Sequence, residues 1–235
     1  MIIASLTTLP NRITRIKNAL DSIVDQVDSI EINIPYKCKR TNEDYIIPEW
    51  LESYPKLTIF REEDIGPLTK IVPTLKRHQD KYIISIDDDV NYTPTIVQDL
   101  KRACGINQVS SASGILINNK TYSQSKSCNV SALEGFAGIM YPPRIYQNFE
   151  YFEKTNTNID CYLSDDVILS NWLVNQGLRL YMVSCPVPKQ FAFGLVDRKA
   201  LHSQNNMKQR YIRVVNWLKE NKMLYIRIYN IYNRH

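Results

Sequence analysis

Lys81 to Ile86 (KYIISI) is the strongest buried-strand signal in the chain, and it ends abruptly in three consecutive aspartates, Asp87, Asp88 and Asp89. A short apolar run of this kind suits a strand covered on both faces. The acids that follow mark the point where it leaves the core. The N-terminus supports the same architecture. Ile2 to Leu6 (IIASL) is a second short apolar run. Ile13, Ile16, Leu20, Ile23 and Val24 then recur at helical spacing, which predicts a helix from about Pro10 to about Gln26. Ser29 to Ile34 (SIEINI) alternates and stops at Pro35. Strand, helix and strand in this order predict a parallel α/β layer.

The remaining pattern continues it. Leu57 to Phe60 reads as a strand, and Gly66-Pro67 opens a short helix to about Arg77. Pro94 starts another helix, to about Cys104. Gly114 to Ile117 and Phe136 to Tyr141 are short strand candidates. Asp165 to Asn175 (DDVILSNWLVN) reads as a helix with acids in its first turn, where the dipole favours them. Gly177 caps it, and Arg179 to Val183 gives a late strand. The expected architecture is a mainly parallel sheet flanked by helices.

Composition narrows the class. With 235 residues, 44% hydrophobic and 23% charged, the chain can bury a full core and enclose a cleft, and disorder is excluded. No run of about 18 apolar residues is present, and the first residues are too short an apolar stretch for a signal peptide. Five scattered cysteines without CxxC spacing argue against a disulfide framework or a zinc knuckle. A cytoplasmic location is expected. The net charge of +5 is concentrated at the end: beyond Ser203, Lys208, Arg210, Arg213, Lys219, Lys222, Arg227 and Arg234 face Glu220 alone. The body is therefore close to neutral, which argues against nucleic acid as a partner. The chain divides into 1–202 and a basic extension, 203–235. Met207, Tyr211, Val214, Val215 and Leu218 form an apolar helical stripe in that extension. It is expected to pack on the domain or at an interface, with peripheral contact to an anionic membrane as the sharper alternative.

Chemistry concentrates in three places. Ligands of open α/β sheets bind beyond the carboxyl ends of the strands, where Asp87 to Asp89 fall. No basic residue adjoins them in sequence, and a divalent cation would relieve their repulsion. In D-x-D, Asp87 and Asp89 share one side of an extended segment. Lys70, on the first helical turn after Gly66-Pro67, is a reasonable phosphate contact. Asp165 and Asp166, in LSDDVIL, read either as helix-start chemistry or as a general base with a tunable proton affinity. Of the three histidines, His202 is the candidate metal ligand.

Taken in order, Thr7-Thr8 after the first strand, DIGPLTK (64–70), the strand into Asp87-Asp88-Asp89, the EGFAG loop (134–138) and LSDDV (163–167) resemble the GT-A glycosyltransferases. They resemble in particular the small family 2-like nucleotide-sugar transferases of bacteria and large DNA viruses. The resemblance covers roughly Met1 to His202. It implies a GT-A-like, Rossmann-type fold and transfer of a sugar from a nucleoside diphosphate, UDP being favoured, to a glycan or lipid-linked hydroxyl. It implies that Asp87, Asp89 and His202 hold Mn²⁺ or Mg²⁺. Thr7, Thr8 and Arg12 would meet base and ribose, and Asp64 would reach base or ribose. Lys70, Asp87 and Asp88 would complete the donor site. Asp166 would be the base of an inverting reaction, beside Asp165, which stands where the family often has glutamate. Gly135, Phe136 and Ala137 would flank the acceptor.

Two other readings stand beside it. A HAD-type phosphatase also shows D-x-D after a strand, but it needs Thr or Val where Asn91 stands, and its lysine follows the motif whereas Lys70 precedes it. A binding module on the same fold would hold nucleotide or glycan without turnover.

Overall fold

The computed structural model describes residues 1–117, 127–191 and 207–228. The first half runs β1 (Ile2–Leu6), α1 (Lys17–Ile23), β2 (Ser29–Pro35), α2 (Glu49–Glu52), β3 (Leu57–Glu62), α3 (Val72–Arg77) and β4 (Tyr82–Ser85). These four strands are parallel, in the order β3-β2-β1-β4. The chain continues through β5 (Val90–Asn91), α4 (Ile96–Ala103), β6 (Gln108–Ser111), β7 (Gly114–Ile115), β8 (Cys128–Asn129), β9 (Ala132–Leu133) and β10 (Ile139–Tyr141). Then come α5 (Glu150–Thr155), α6 (Ile159–Tyr162), α7 (Asp165–Asn175), β11 (Arg179–Met182), β12 (Lys189–Gln190) and α8 (Met207–Glu220). One eight-stranded sheet results, β3-β2-β1-β4-β10-β6-β11-β8, with β10 antiparallel to both neighbours.

Alternating side chains divide the apolar residues between two cores. Ile3, Ile83, Ile139 and Tyr141 face one side of the sheet, against Val72, Leu75, Val167, Ile168 and Trp172. Ala4, Ile84 and Met140 face the other, against Ile16, Leu20, Ile96 and Leu100. Both faces of β1 and β4 are therefore covered, which is why these strands read as continuous apolar runs. The sheet lies between two helical layers, as expected. No helix among the described residues is long and apolar enough to cross a membrane.

The strand directions position the site. β1 to β4 all deliver their carboxyl ends to one edge of the sheet. β10 runs the opposite way, with Ile139 beside Ser85. The EGFAG loop preceding it therefore arrives at the edge where β4 releases Asp87.

Several boundaries differ from the periodic reading. The helix expected from Pro10 starts only at Lys17, because residues before it form turns that present the Arg12 side chain to β4 (Arg12 N–H to Leu9 O, 2.9 Å; Arg15 N–H to Arg12 O, 2.7 Å). The helix expected from Gly66 to Arg77 is a 3-10 turn over Gly66–Lys70, a break at Ile71, and then α3. Phe136 to Tyr141 is a strand only from Ile139; Gly135–Ala137 is a 3-10 turn, followed by Gly138. β6 carries serines that sequence patterning passes over, since Ser110 Oγ–H reaches Leu100 O at 2.6 Å instead of facing water. α7 begins and ends where predicted, and Gly177 adopts the left-handed φ of +78° that a helix stop requires.

The extension joins the first core. Tyr211, Val214, Val215 and Leu218 of α8 are buried in it, while Met207 is 38% exposed. These four members of the apolar stripe lie inside the protein and do not face a lipid surface.

Candidate active site

A cavity of about 360 Å³ opens at the carboxyl edge of the sheet. Thr7, Thr8, Arg12, Asp64, Lys70, Asp87, Asp88, Asp89, Asp165 and Asp166 all line it. These ten donor, metal and base candidates therefore reach one hollow, although they come from four separated stretches of chain, 7–12, 64–70, 87–89 and 165–166. His202 lies outside the described residues.

The aspartates after β4 meet basic side chains in space that they lack in sequence. Arg12 Nη1–H donates to Asp88 Oδ1 (2.9 Å) and Asp89 Oδ2 (3.1 Å). Thr8 Oγ1–H donates to Asp88 Oδ2 at 2.6 Å. Lys70 Nζ stands 2.8 Å from Asp87 Oδ1 and 3.0 Å from Asp165 Oδ2. Lys70 thus bridges the cluster after β4 and the start of α7, and it is 5% exposed. Burial pushes its proton affinity down, but the charges of Asp165, Asp87 and Asp166 outweigh burial and hold its pKa well above the ordinary lysine value.

Asp166 accepts from Gly135 N–H at Oδ1 (2.8 Å) and from the Tyr211 hydroxyl at Oδ2 (3.2 Å). Burial raises its pKa well above the usual carboxylate range, and Asp165 and Glu134 add to this against Lys70 and the Gly135 N–H. Asp89 is pushed up to about 7, first by burial and then by the charges of Asp87 and Asp88, with Arg12 opposing.

Asp64 lines the cavity but is held by its own walls. Its carboxylate accepts from Lys39 N–H (2.7 Å), Gly66 N–H (2.7 Å) and the Tyr162 hydroxyl (3.3 Å). These three donors leave one acceptor position, on Oδ2, for a further donor such as a ribose hydroxyl. Among the residues expected beside the acceptor, Phe136 lines the cavity. Ala137 does not: it is fully buried in the second core. Gly135 is there for closeness. A Cβ on it would stand 2.5 Å from Lys70 Nζ and 3.3 Å from Asp166 Oδ1. Gly135→Ala is expected to push the lysine off its carboxylates and lower stability by about 1–3 kcal/mol. Thermal melting of the two proteins checks this.

Sequence reading passed over Glu134, Tyr45, Tyr162, Met207 and Tyr211, which also line the cavity. In the sequence Tyr211 reads only as part of an apolar stripe. A buried tyrosine normally finds a partner for its hydroxyl, and that was the available signal.

The donor set suits a hard cation shared with substrate oxygens. Among the described residues that line the cavity, carboxylates outnumber the basic residues, Arg12, Arg40 and Lys70. Asp89 resists ionisation because it is buried and faces the charges of Asp87 and Asp88, with Arg12 opposing. Among the described residues no group of three His, Cys, Asp or Glu side chains is placed to hold a metal ion. One or two carboxylates completed by phosphates is a usual arrangement for Mg²⁺.

Neither a protein-family model nor a curated protein sequence matches this chain. Solved structures do. The crystal structure of S. aureus TarS 1–349 matches with a TM-score of 0.51 and 12% identity, covering 93% of this chain and 71% of that one. The mannosyltransferase PcManGT from Pyrobaculum calidifontis, in complex with GDP-Man and Mn²⁺, matches with a TM-score of 0.43 and 13% identity, over 79% of this chain. This chain spans 54% of that mannosyltransferase, and the likeness is too loose to build on. The TarS match shows the fold. That fold is a central, mainly parallel sheet flanked by helices.

Proposed function

We propose that the protein is a glycosyltransferase that takes a sugar from a nucleoside-diphosphate donor. One observation carries the reading: the cavity at the strand ends joins an acid-rich donor half, Asp87 to Asp89 with Thr7, Thr8 and Arg12, to a second pair of acids, Asp165 and Asp166, through Lys70. Binding alone needs no second acidic pair. Transfer to a hydroxyl needs a group to take its proton.

In this reading Asp87 and Asp89 hold Mn²⁺ or Mg²⁺, with His202 as a further ligand. Such an ion, when bound, neutralises charge on the departing diphosphate. Thr7, Thr8 and Arg12 border the nucleoside. Lys70 keeps the two acidic groups together at the point where the diphosphate and the acceptor meet. Asp166 accepts the proton of the acceptor hydroxyl as its oxygen bonds the anomeric carbon and the bond to the diphosphate breaks. Attack from the face opposite the leaving group inverts that carbon. The acceptor is a glycan or lipid-linked hydroxyl. A membrane contact of 203–235 would not use Tyr211, Val214, Val215 or Leu218, which are buried.

Thermal melting with UDP and with GDP, each with and without Mn²⁺, tests the donor half. A diphosphate at 100 times its Kd stabilises by about 2.7 kcal/mol. The expected result is a shift that needs both nucleotide and metal and that Asp89→Asn removes. An unchanged shift in that variant would show that the ion sits elsewhere. Donor hydrolysis measured alongside separates an enzyme from a module that only binds.

A further inference from the structure

The basic extension reaches the reacting end of the cavity. α8 enters with Met207 and Tyr211 on the cavity wall, and the Tyr211 hydroxyl lies 3.2 Å from Asp166 Oδ2. The contact is braced from both sides. Arg213, two residues on, forms a two-pronged pair with Asp160 of α6 (2.7 and 2.8 Å). The chain after α8 is gripped by Asn171, on the same helix as Asp166: Asn171 Nδ2–H donates to Met223 O (2.7 Å), and Asn171 Oδ1 accepts from Tyr225 N–H (2.7 Å) and Ile226 N–H (3.1 Å). Val214, Val215 and Leu218 fix α8 against the core between these points.

We infer that Tyr211 is a positioning residue for Asp166, so that the extension belongs to the catalytic apparatus. The inference rests on the reading of Asp166 as the base. With Gly135 N–H on Oδ1 and the Tyr211 hydroxyl on Oδ2, each carboxylate oxygen has one fixed donor. The carboxyl plane is thereby set. Among the described residues, the titratable groups facing it are Asp165 and Lys70 beside it, Glu134 from the loop before β10, Tyr141 from β10 and Tyr211 from α8. Asp165 and Glu134 oppose its ionised form, whereas Lys70 and the two donors favour it.

Tyr211→Phe removes only the hydroxyl and keeps the ring in the core. In the pH profile of kcat/KM, the acid limb is expected to move up by about half to one unit, the size of one lost hydrogen bond to a carboxylate. KM is expected to stay within about twofold, and the two profiles should converge at high pH. Superimposable profiles would overturn the inference. Carboxyl ¹³C NMR of aspartate-labelled protein, with Asp166→Asn to assign the signal, reads the same pair without turnover. There the Asp166 midpoint should rise in Tyr211→Phe, and an unmoved midpoint overturns the inference whether or not sugar is transferred. A protein that transfers no sugar yet shows the rise keeps the Tyr211–Asp166 pair and loses the glycosyltransferase reading. Should Tyr211→Phe melt early, 3,5-difluorotyrosine placed at position 211 offers a stronger donor. It should lower the midpoint, and no change would again overturn the pair.

Discussion

Asp166→Asn is expected to lower kcat by about 10²–10⁴-fold, the usual contribution of a positioned general base, while leaving diphosphate affinity within about twofold. Asparagine fills the same space, and its carbonyl can still accept the Gly135 N–H that Asp166 Oδ1 accepts at 2.8 Å. What it cannot do is take a proton. The wild-type profile should show an acid limb well above the ordinary carboxylate range, because burial, then Asp165, raise the pKa of this group. Stability should move the opposite way. An acid with a raised folded-state pKa holds its proton more tightly folded than unfolded. Its contribution is therefore largest below the unfolded value of about 3.9 and is lost as pH rises through the folded one. Asp166→Asn removes that loss, so the variant should melt with wild type near pH 4 and above it at pH 8. Kinetics from pH 5 to 9 and melting curves over a wider range check both halves. A variant that keeps its rate would move the base elsewhere.

The features legible in the sequence were those set by one segment at a time. Ile2–Leu6 and Tyr82–Ser85 announce themselves because strands buried on both faces must be apolar throughout. Asp165–Asn175 does so because acids, an apolar body and a following glycine agree on one helix. That Asp165 and Asp166 gather with the acids after β4 is what the resemblance to GT-A glycosyltransferases implies, since these two acids open a helix and follow no strand. Pairings between segments were not legible. Nothing around Asp88 announces that Arg12, 76 residues earlier, will turn out of the expected helix to meet it. Nothing around Asp166 announces a tyrosine 45 residues later. Lys70 was readable as a phosphate contact, but its place between Asp87 and Asp165 depends on Gly135 lacking a side chain. Such arrangements are decided by packing, in which propensity and periodicity have little say.

Lys70→Met is expected to have the largest effect on the fold. Methionine keeps the length and apolar character of the lysine stem and removes only the charge. Lys70 Nζ now sits 2.8 Å from Asp87 and 3.0 Å from Asp165, nearly out of reach of water. Without it, those carboxylates and Asp166 face one another in a medium that screens them poorly. Breaking a buried pair by removing one partner costs about 3–5 kcal/mol. For a chain of this size that is a fall in Tm of roughly 10 °C at pH 8. An exposed lysine pair would cost less than about 1 kcal/mol, so the size of the drop separates the two situations. Mn²⁺ offers a second check by melting alone. If the surplus of carboxylates is what a cation answers, millimolar Mn²⁺ should raise the Tm of Lys70→Met by more than it raises that of wild type. A variant that melts within a degree or two of wild type, and responds to Mn²⁺ no differently, would mean that these acids do not share one pocket of uncompensated charge, and the donor and acceptor halves would then have no common hinge.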